Sequence, residues 1–210
     1  MRVAELWRYP VKGLRGESLQ SVEIAVGGIP GDRSVRVVDP RGTVTGRRKQ
    51  RLIGVDATLG RDGEPLVADS PWDSPAAAAA IREVAGEEAT LEAAEGGHAH
   101  DAAHILLVTD GGLAQLGYDR RRFRPNIVVE GVDGPAELDW VGRRVRVGEA
   151  VLLVDEPCER CVITTIDPDT IEVDLEVLER TRSELDGMMG VYCSVIEPAE
   201  VGVGDAVALG

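Results

Sequence analysis

The chain is poor in cysteine and lysine and has no long apolar run. Cysteine occurs three times in 210 residues, at 158, 161 and 193. That is too few and too odd a number for the disulfide framework of a small secreted protein. No stretch of eighteen apolar residues occurs, and the N-terminus has no charged-then-apolar leader. Both absences point away from secretion and membrane insertion and toward a cytoplasmic chain whose thiols stay reduced. The length is enough for a core that needs no covalent staple. Positive charge is also lacking overall. The formal net charge is −14, which disfavours nucleic acid and anionic membrane as partners, since both reward a basic surface. Lysine stands only at Lys12 and Lys49, and every other basic residue is arginine. Those two positions are therefore singled out as places where a compact ammonium serves better than a planar fork, on a phosphate or as an amine.

The basic residues are not spread evenly. Between Gly31 and Arg51, "GDRSVRVVDPRGTVTGRRKQR" sets seven basic side chains against two acidic ones, and "DRRRFR" at 119–124 forms a second cluster. Two positive patches in an acidic chain suggest a focused site for a small anion such as a phosphate ester.

The pattern along the chain is strand-rich. "VAELWRYPV" and "SLQSVEIAV" are mixed-alternation strands flanking the connection "KGLRGE". "SVRVVDPRGTVTG" reads as a hairpin turning at Asp39–Gly42, and "LIGVDATLGRDGEPLVAD" as another turning at Gly60–Gly63. "SPAAAAAIREVAG" is a helix with a Ser74 cap, proline in its first turn and Gly86 at its end. The small, polar "EAAEGGHAHDAAH" that follows reads as an interdomain linker. It contains all three histidines, 98, 100 and 104, whose spacing does not match a closed metal site.

"HILLVTDGGLAQLGYDRRRFRPNIVVEG" predicts a buried strand, a helix starting near Thr109–Asp110 and ending near Gly117, an arginine-rich loop and a further strand. "RRVRVGEAVLLVDEP" predicts a hairpin around Gly148, "CVITTI" a strand, and "VDLEVLERTRSEL" a helix. "GVYCSVIEPAEVGVGDAVALG" predicts a terminal hairpin turning at Val203–Asp205. Strands do not alternate regularly with helices, which argues against a doubly wound parallel sheet. The expected fold is β-dominated α+β, in two barrel-like halves with a few helices.

Cys158 and Cys161 form a C-x-x-C pair. A structural zinc site closes with four ligands, and no second C-x-x-C exists to complete one. A redox dithiol opens a helix, whereas the β-branched run after Cys161 predicts a strand. What remains is a soft thiolate donor beside Arg160, suited to a polarisable metal, with anion-binding arginines elsewhere in the chain.

Six segments in order, "YPVKGLRGE", "GDRSVRVVD", "VTGRRKQRL", "FRPNIVVEG", "CERCVITTIDPDT" and "VGVGDAVAL", resemble the MOSC family. More narrowly they resemble its group of mitochondrial amidoxime-reducing components and bacterial YcbX-type proteins. The resemblance covers essentially the whole chain. It implies an N-terminal small β-barrel domain over 1–92 and a MOSC-type β-barrel with flanking helices over 93–210. It also implies a molybdenum cofactor, a phosphate-bearing pyranopterin whose metal takes one protein thiolate.

On that resemblance the catalytic metal ligand is Cys161, and Cys158 is only its neighbour. Lys12, Arg33 and Arg47 correspond to residues that contact the cofactor, and Thr45 belongs to the same segment. Arg124 and Asn126 lie near the cofactor, and Thr109 and Asp110 mark a turn that approaches it. Thr164, Thr165 and Asp167 belong to the signature itself. Two departures stand out: Gly13 where many relatives have serine, and Ile171 where relatives often have glycine. No C-x4-C-x2-C pattern indicates a fused iron–sulfur domain, and there is no room for the pyridoxal-phosphate domain of the cofactor sulfurases.

The implied function is a molybdenum-dependent oxidoreductase that removes oxygen from N-hydroxylated or N-oxygenated small molecules. Its electrons would come from a separate donor protein of ferredoxin, flavodoxin or cytochrome type. The alternatives are a module that binds or carries the cofactor or its sulfur without turnover, and a chain without cofactor whose cysteines are plain or zinc-bound.

Overall fold

The computed structural model describes residues 1–97, 99 and 103–210. His98 and His100 lie outside them, so the histidine segment is described only in part. Among the described residues no three His, Cys, Asp or Glu side chains group as metal ligands, and no helix is long and apolar enough to cross a membrane.

The first part of the chain forms β1 (Arg2–Arg8), β2 (Val11–Lys12), β3 (Glu17–Leu19), β4 (Ser21–Ile24), β5 (Val35–Asp39) and β6 (Gly42–Val44), and then β7 (Ala57–Leu59), β8 (Pro65–Val67) and β9 (Ser70–Pro71). Both expected hairpins occur, β5 with β6 and β7 with β8. The first turn is set by Asp39, whose carboxylate accepts from the Arg41 N–H at 2.8 Å, the local bond that makes Asp a turn residue.

Helix α1 (Pro75–Ala85) starts where the Ser74 hydroxyl accepts from the Ala77 N–H at 3.2 Å. It buries Ala77, Ile81 and Ala85 on one stripe, four residues apart. These pack on Val35, Val37 and Leu52 as a first apolar core, and β10 (Thr90–Ala93) completes that sheet along β5.

The remainder forms β11 (Ile105–Thr109), α2 (Asp110–Leu116), β12 (Ile127–Glu130), β13 (Arg144–Val147), β14 (Ala150–Glu159), α3 (Glu176–Leu185), β15 (Met188–Glu197), β16 (Ala199–Gly202) and β17 (Val207–Leu209). The large sheet runs β17-β13-β14-β15-β11-β12-β1-β3. Its two ends meet. Arg2 bridges Ala206, the Val207 N–H donates to the Met1 carbonyl at 3.0 Å, and Gly204 donates to Val3 at 2.8 Å. The strand order therefore curls back on itself, and the inward face of each strand, every second residue, fills one interior. Leu6, Ile105, Leu107, Ile127, Leu152 and Val191 are fully buried there, each contributing about 1.5–3 kcal/mol of transfer free energy. The opposite faces of β11 and β12 offer Val108 and Val128, which α2 and α3 cover together with Phe123 and Met189.

The fold is thus the expected β-dominated α+β, and two local expectations fail. Residues 203–205 do turn, but the flanking strands do not pair with each other. β16 pairs with β4 and β17 with β13, because each has a different open edge to satisfy. Residues 162–165 form a 3₁₀ turn and not a strand. The ladder partner ends there, since Glu159 already pairs with Met188, the first residue of β15. The hydroxyls of Thr164 and Thr165 donate to the carbonyls of Cys161 and Val162 at 2.9 and 2.7 Å, local bonds that compete with a ladder.

Candidate functional site

One cavity of about 470 Å³ opens where the two cores adjoin. Lys12 reaches it from the end of β2, which runs parallel to β5. Arg33 enters from the turn before β5, and Thr45, Arg47 and Arg48 from the turn after β6. Arg122 and Arg124 come from the arginine-rich loop before β12, and Cys158 to Cys161 and Thr164 from the end of β14.

The chain departs from ordinary backbone here. Arg33 and Arg124 sit at φ +51° and +53°, the left-handed region that non-glycine residues rarely adopt and that clusters at functional sites. Gly13, on the cavity wall beside Lys12, has φ +87°, where a serine would be strained. That departure from the serine of many relatives is matched by its backbone.

Seven of the lining side chains are basic (Lys12, Arg33, Arg47, Arg48, Arg122, Arg124 and Arg160) against one acid, Glu159. Arg33 pairs with Asp32, Arg48 with Asp39, and Arg122 with Asp167. The Arg48 hydrogen bond holds the Asp39 carboxyl below its usual range. The backbone N–H groups of Thr170 and Asp169, with Arg122, do the same for Asp167.

The two cysteines differ. Cys158 is buried, whereas Cys161 is partly exposed in the same cavity. Cys158 lies within β14, whereas Cys161 lies past its end, directly before the 3₁₀ turn. Arg160, expected beside the thiolate, is aimed elsewhere. It is 8% exposed; its Nε donates to the Met189 carbonyl at 2.7 Å and its Nη1 to the Phe123 carbonyl at 2.8 Å. Its guanidinium ties the Cys161 segment to β15 and to the arginine-rich loop.

Of the residues singled out in the sequence, Lys12, Arg33, Thr45, Arg47, Arg124, Asn126, Cys161 and Thr164 line this one cavity. Asn126 is buried and serves as a knot. Its Oδ1 accepts from the Leu106 N–H at 3.1 Å, and its Nδ2 donates to Asp32 at 3.2 Å.

Thr109, Asp110, Thr165 and Asp167, also expected near the cofactor, are not among the residues lining the cavity. Thr109 caps α2, accepting from Gly112 at 3.2 Å, and donates to the buried Glu137. Asp110 accepts from the N–H groups of Gly111, Gly131 and Val132. These bonds hold the loop after β12 against α2. Thr165 closes its own turn, and its carbonyl takes Arg122 Nη1 at 2.9 Å. Asp167 accepts from Asp169 and Thr170, each at 2.9 Å, and from Arg122 at 2.8 Å. All four shape the supports of the cavity. The sequence reading did not single out Tyr9, Asp32, Arg122 or Tyr192. All four lay inside quoted segments, Tyr192 in the terminal one that was read only as strand.

Two family models match the chain over overlapping stretches. The family model described as the MOSC N-terminal beta barrel domain matches residues 1–110, and that described as the MOSC domain matches residues 98–208. The chain belongs to the MOSC family. Among curated members it is 27% identical to the mitochondrial amidoxime reducing component 2 of Macaca fascicularis, over 98% of this chain and 82% of that protein. It is likewise 27% identical to human mitochondrial amidoxime-reducing component 1, over 99% and 82%. A shorter stretch of 76 residues, 35% of this chain, is 42% identical to a molybdenum cofactor sulfurase of Anopheles gambiae, of which it covers 10%. Among solved structures, the YUAD protein of Bacillus subtilis superposes with a TM-score of 0.50 at 16% identity, over 99% of this chain and 94% of that one, a likeness of fold alone.

Proposed function

We propose that this MOSC protein is an oxidoreductase that holds a molybdenum cofactor and reduces N-hydroxylated or N-oxygenated small molecules with electrons from a separate donor protein. The observation that carries the reading is the meeting, in one cavity, of a single partly exposed thiol and seven basic side chains. A soft thiolate suits a polarisable metal, and arginines with a lysine suit a phosphate.

The donor set fits such a group. Cys161 would hold the metal; Lys12, Arg33, Arg47 and Arg124 would hold the phosphate and pterin; and Arg160 would keep the Cys161 segment in place. When bound, the cofactor supplies the two-electron oxygen-atom chemistry, as cofactors do in such enzymes. The chain's own part is to bind and orient, with its basic groups fixed in place by Asp32, Asp39 and Asp167. The amidoxime-reducing relatives, which align over nearly the whole chain, support the substrate class.

The test compares Cys161→Ser with Cys158→Ser after expression with molybdate. Molybdenum per chain is measured together with anaerobic turnover of a hydroxylamine by a chemical reductant. The expected result is a loss of more than about tenfold in metal content for Cys161→Ser, with little change for Cys158→Ser. Equal molybdenum in both variants would sink the metal role of Cys161.

A second reading, delivery of the cofactor or its sulfur without turnover, draws on the 42% identity to a molybdenum cofactor sulfurase. It predicts labelled sulfur on Cys161 and no reductase activity.

A further inference from the structure

Tyr9 is buried at the joint between β1 and β2 and is absent from the cavity wall. Yet two cavity arginines lie over its ring, with guanidinium carbons 5.0 Å (Arg33) and 4.3 Å (Arg124) from the ring centroid. These two arginines also share the left-handed backbone conformation. The main chain of Tyr9 reinforces the arrangement. Its carbonyl accepts the Arg33 N–H at 2.7 Å, and its N–H donates at 2.7 Å to Asp32, the carboxylate that pairs with Arg33. Gly16 leaves the space the ring occupies, since a Cβ there would collide with the ring's Cδ1 and with the Arg8 carbonyl. Among the described residues the buried Tyr9 hydroxyl has no hydrogen-bond partner, which is costly for a polar group. What holds Tyr9 in this place is therefore its ring and not its hydroxyl.

We propose that Tyr9 is a positioning residue: its ring presents the guanidiniums of Arg33 and Arg124 to the cavity as a pair, and so sets the affinity for a phosphate group that Tyr9 does not itself touch. A cation over an aromatic face is attracted by the ring quadrupole and gains more when desolvated, so one buried ring offsets part of the cost of holding two like charges near it. This inference rests on the reading of the cavity as a phosphate-binding site.

The test is calorimetric titration of the full chain with inorganic phosphate at fixed ionic strength. Tyr9→Phe keeps the ring and should bind within about twofold of wild type, whereas Tyr9→Leu should bind about tenfold more weakly. At one phosphate concentration, phosphate should also raise the melting temperature of wild type and Tyr9→Phe by more than that of Tyr9→Leu. Should Tyr9→Leu fail to fold, phenylalanines carrying one, two and three fluorines at position 9 keep the shape while weakening the quadrupole. Phosphate affinity should then fall stepwise along that series. A merely structural role would leave the series flat, and a flat series, or equal losses in Tyr9→Phe and Tyr9→Leu, overturns the role of Tyr9. Absence of phosphate binding by the wild-type chain overturns instead the reading of the cavity on which it rests.

Discussion

Arg160 shows how a residue can stand beside a reactive one in sequence and serve it only indirectly. Its two carbonyl acceptors lie on different elements, β15 and the loop before β12, and its charge is almost entirely withdrawn from water. An ammonium cannot span both acceptors as a planar fork does. Arg160→Lys should therefore destabilise the fold by about 2 kcal/mol, through a lost charge-assisted bond and a carbonyl left unsatisfied; the midpoint of urea unfolding measures this. Sequence adjacency made Arg160 look like a charge for the thiolate, and only burial reveals it as a tie. The same gap separates the site residues that were legible from those that were not. Lys12, Arg33, Arg47 and Cys161 carry their chemistry in their type and converge on the cavity. Thr109, Asp110, Thr165 and Asp167 are polar residues at element ends and turns, where a local backbone bond is as good a use of an oxygen as a ligand contact. Residue type does not decide between those uses.

At the scale of elements, what the sequence conveys is local and what it withholds is partnership. The Ser74 cap, the Asp39 turn and the five-residue buried strand β11 follow from side chains within a few positions of one another. The choice of β4 by β16, and the end of the β14 ladder at Met188, depend on which distant edge is open. No alternation pattern specifies that. Helix α3 carries an element-level prediction. Its C-terminal flank is Asp186 at φ +51°, exposed, with Gly187 following. A glycine is the residue that best tolerates that conformation, and a carboxylate beside the negative end of a helix is unfavourable. Asp186→Gly should raise stability by about 0.5–1 kcal/mol, read as a higher thermal midpoint with no change in phosphate binding.

For the whole molecule, the titratable groups with shifted protonation fall into two opposed classes. Around the cavity and its supports, Asp119 and Asp169 are held below their usual range by hydrogen bonds from Arg121, as Asp167 is by its loop and Asp39 by Arg48. A carboxylate depressed in the folded state stabilises above its unfolded value of 3.8, and that stability is lost as pH falls through the folded value. Glu137 lies at the other extreme, fully buried beneath α2 against Thr109, and burial raises its pKa above 4.5. It holds a proton that the unfolded chain releases, so its contribution is complete below pH 4.5 and is lost as pH rises through its folded value. Cys193, inside the barrel, behaves in the same sense above pH 9.0, again through burial. Stability should therefore peak in the mildly acidic range, with Arg–Asp pairs governing the acid limb and Glu137 the first part of the alkaline one. Glu137→Gln keeps the shape and an acceptor for the Thr109 hydroxyl while removing the titration. In urea unfolding at pH 3, 5 and 8, the variant should lose the decline between pH 5 and 8 and retain the decline between 5 and 3. A variant whose profile between pH 5 and 8 matched wild type would show that Glu137 is ionised in the folded protein and that the alkaline limb has another source.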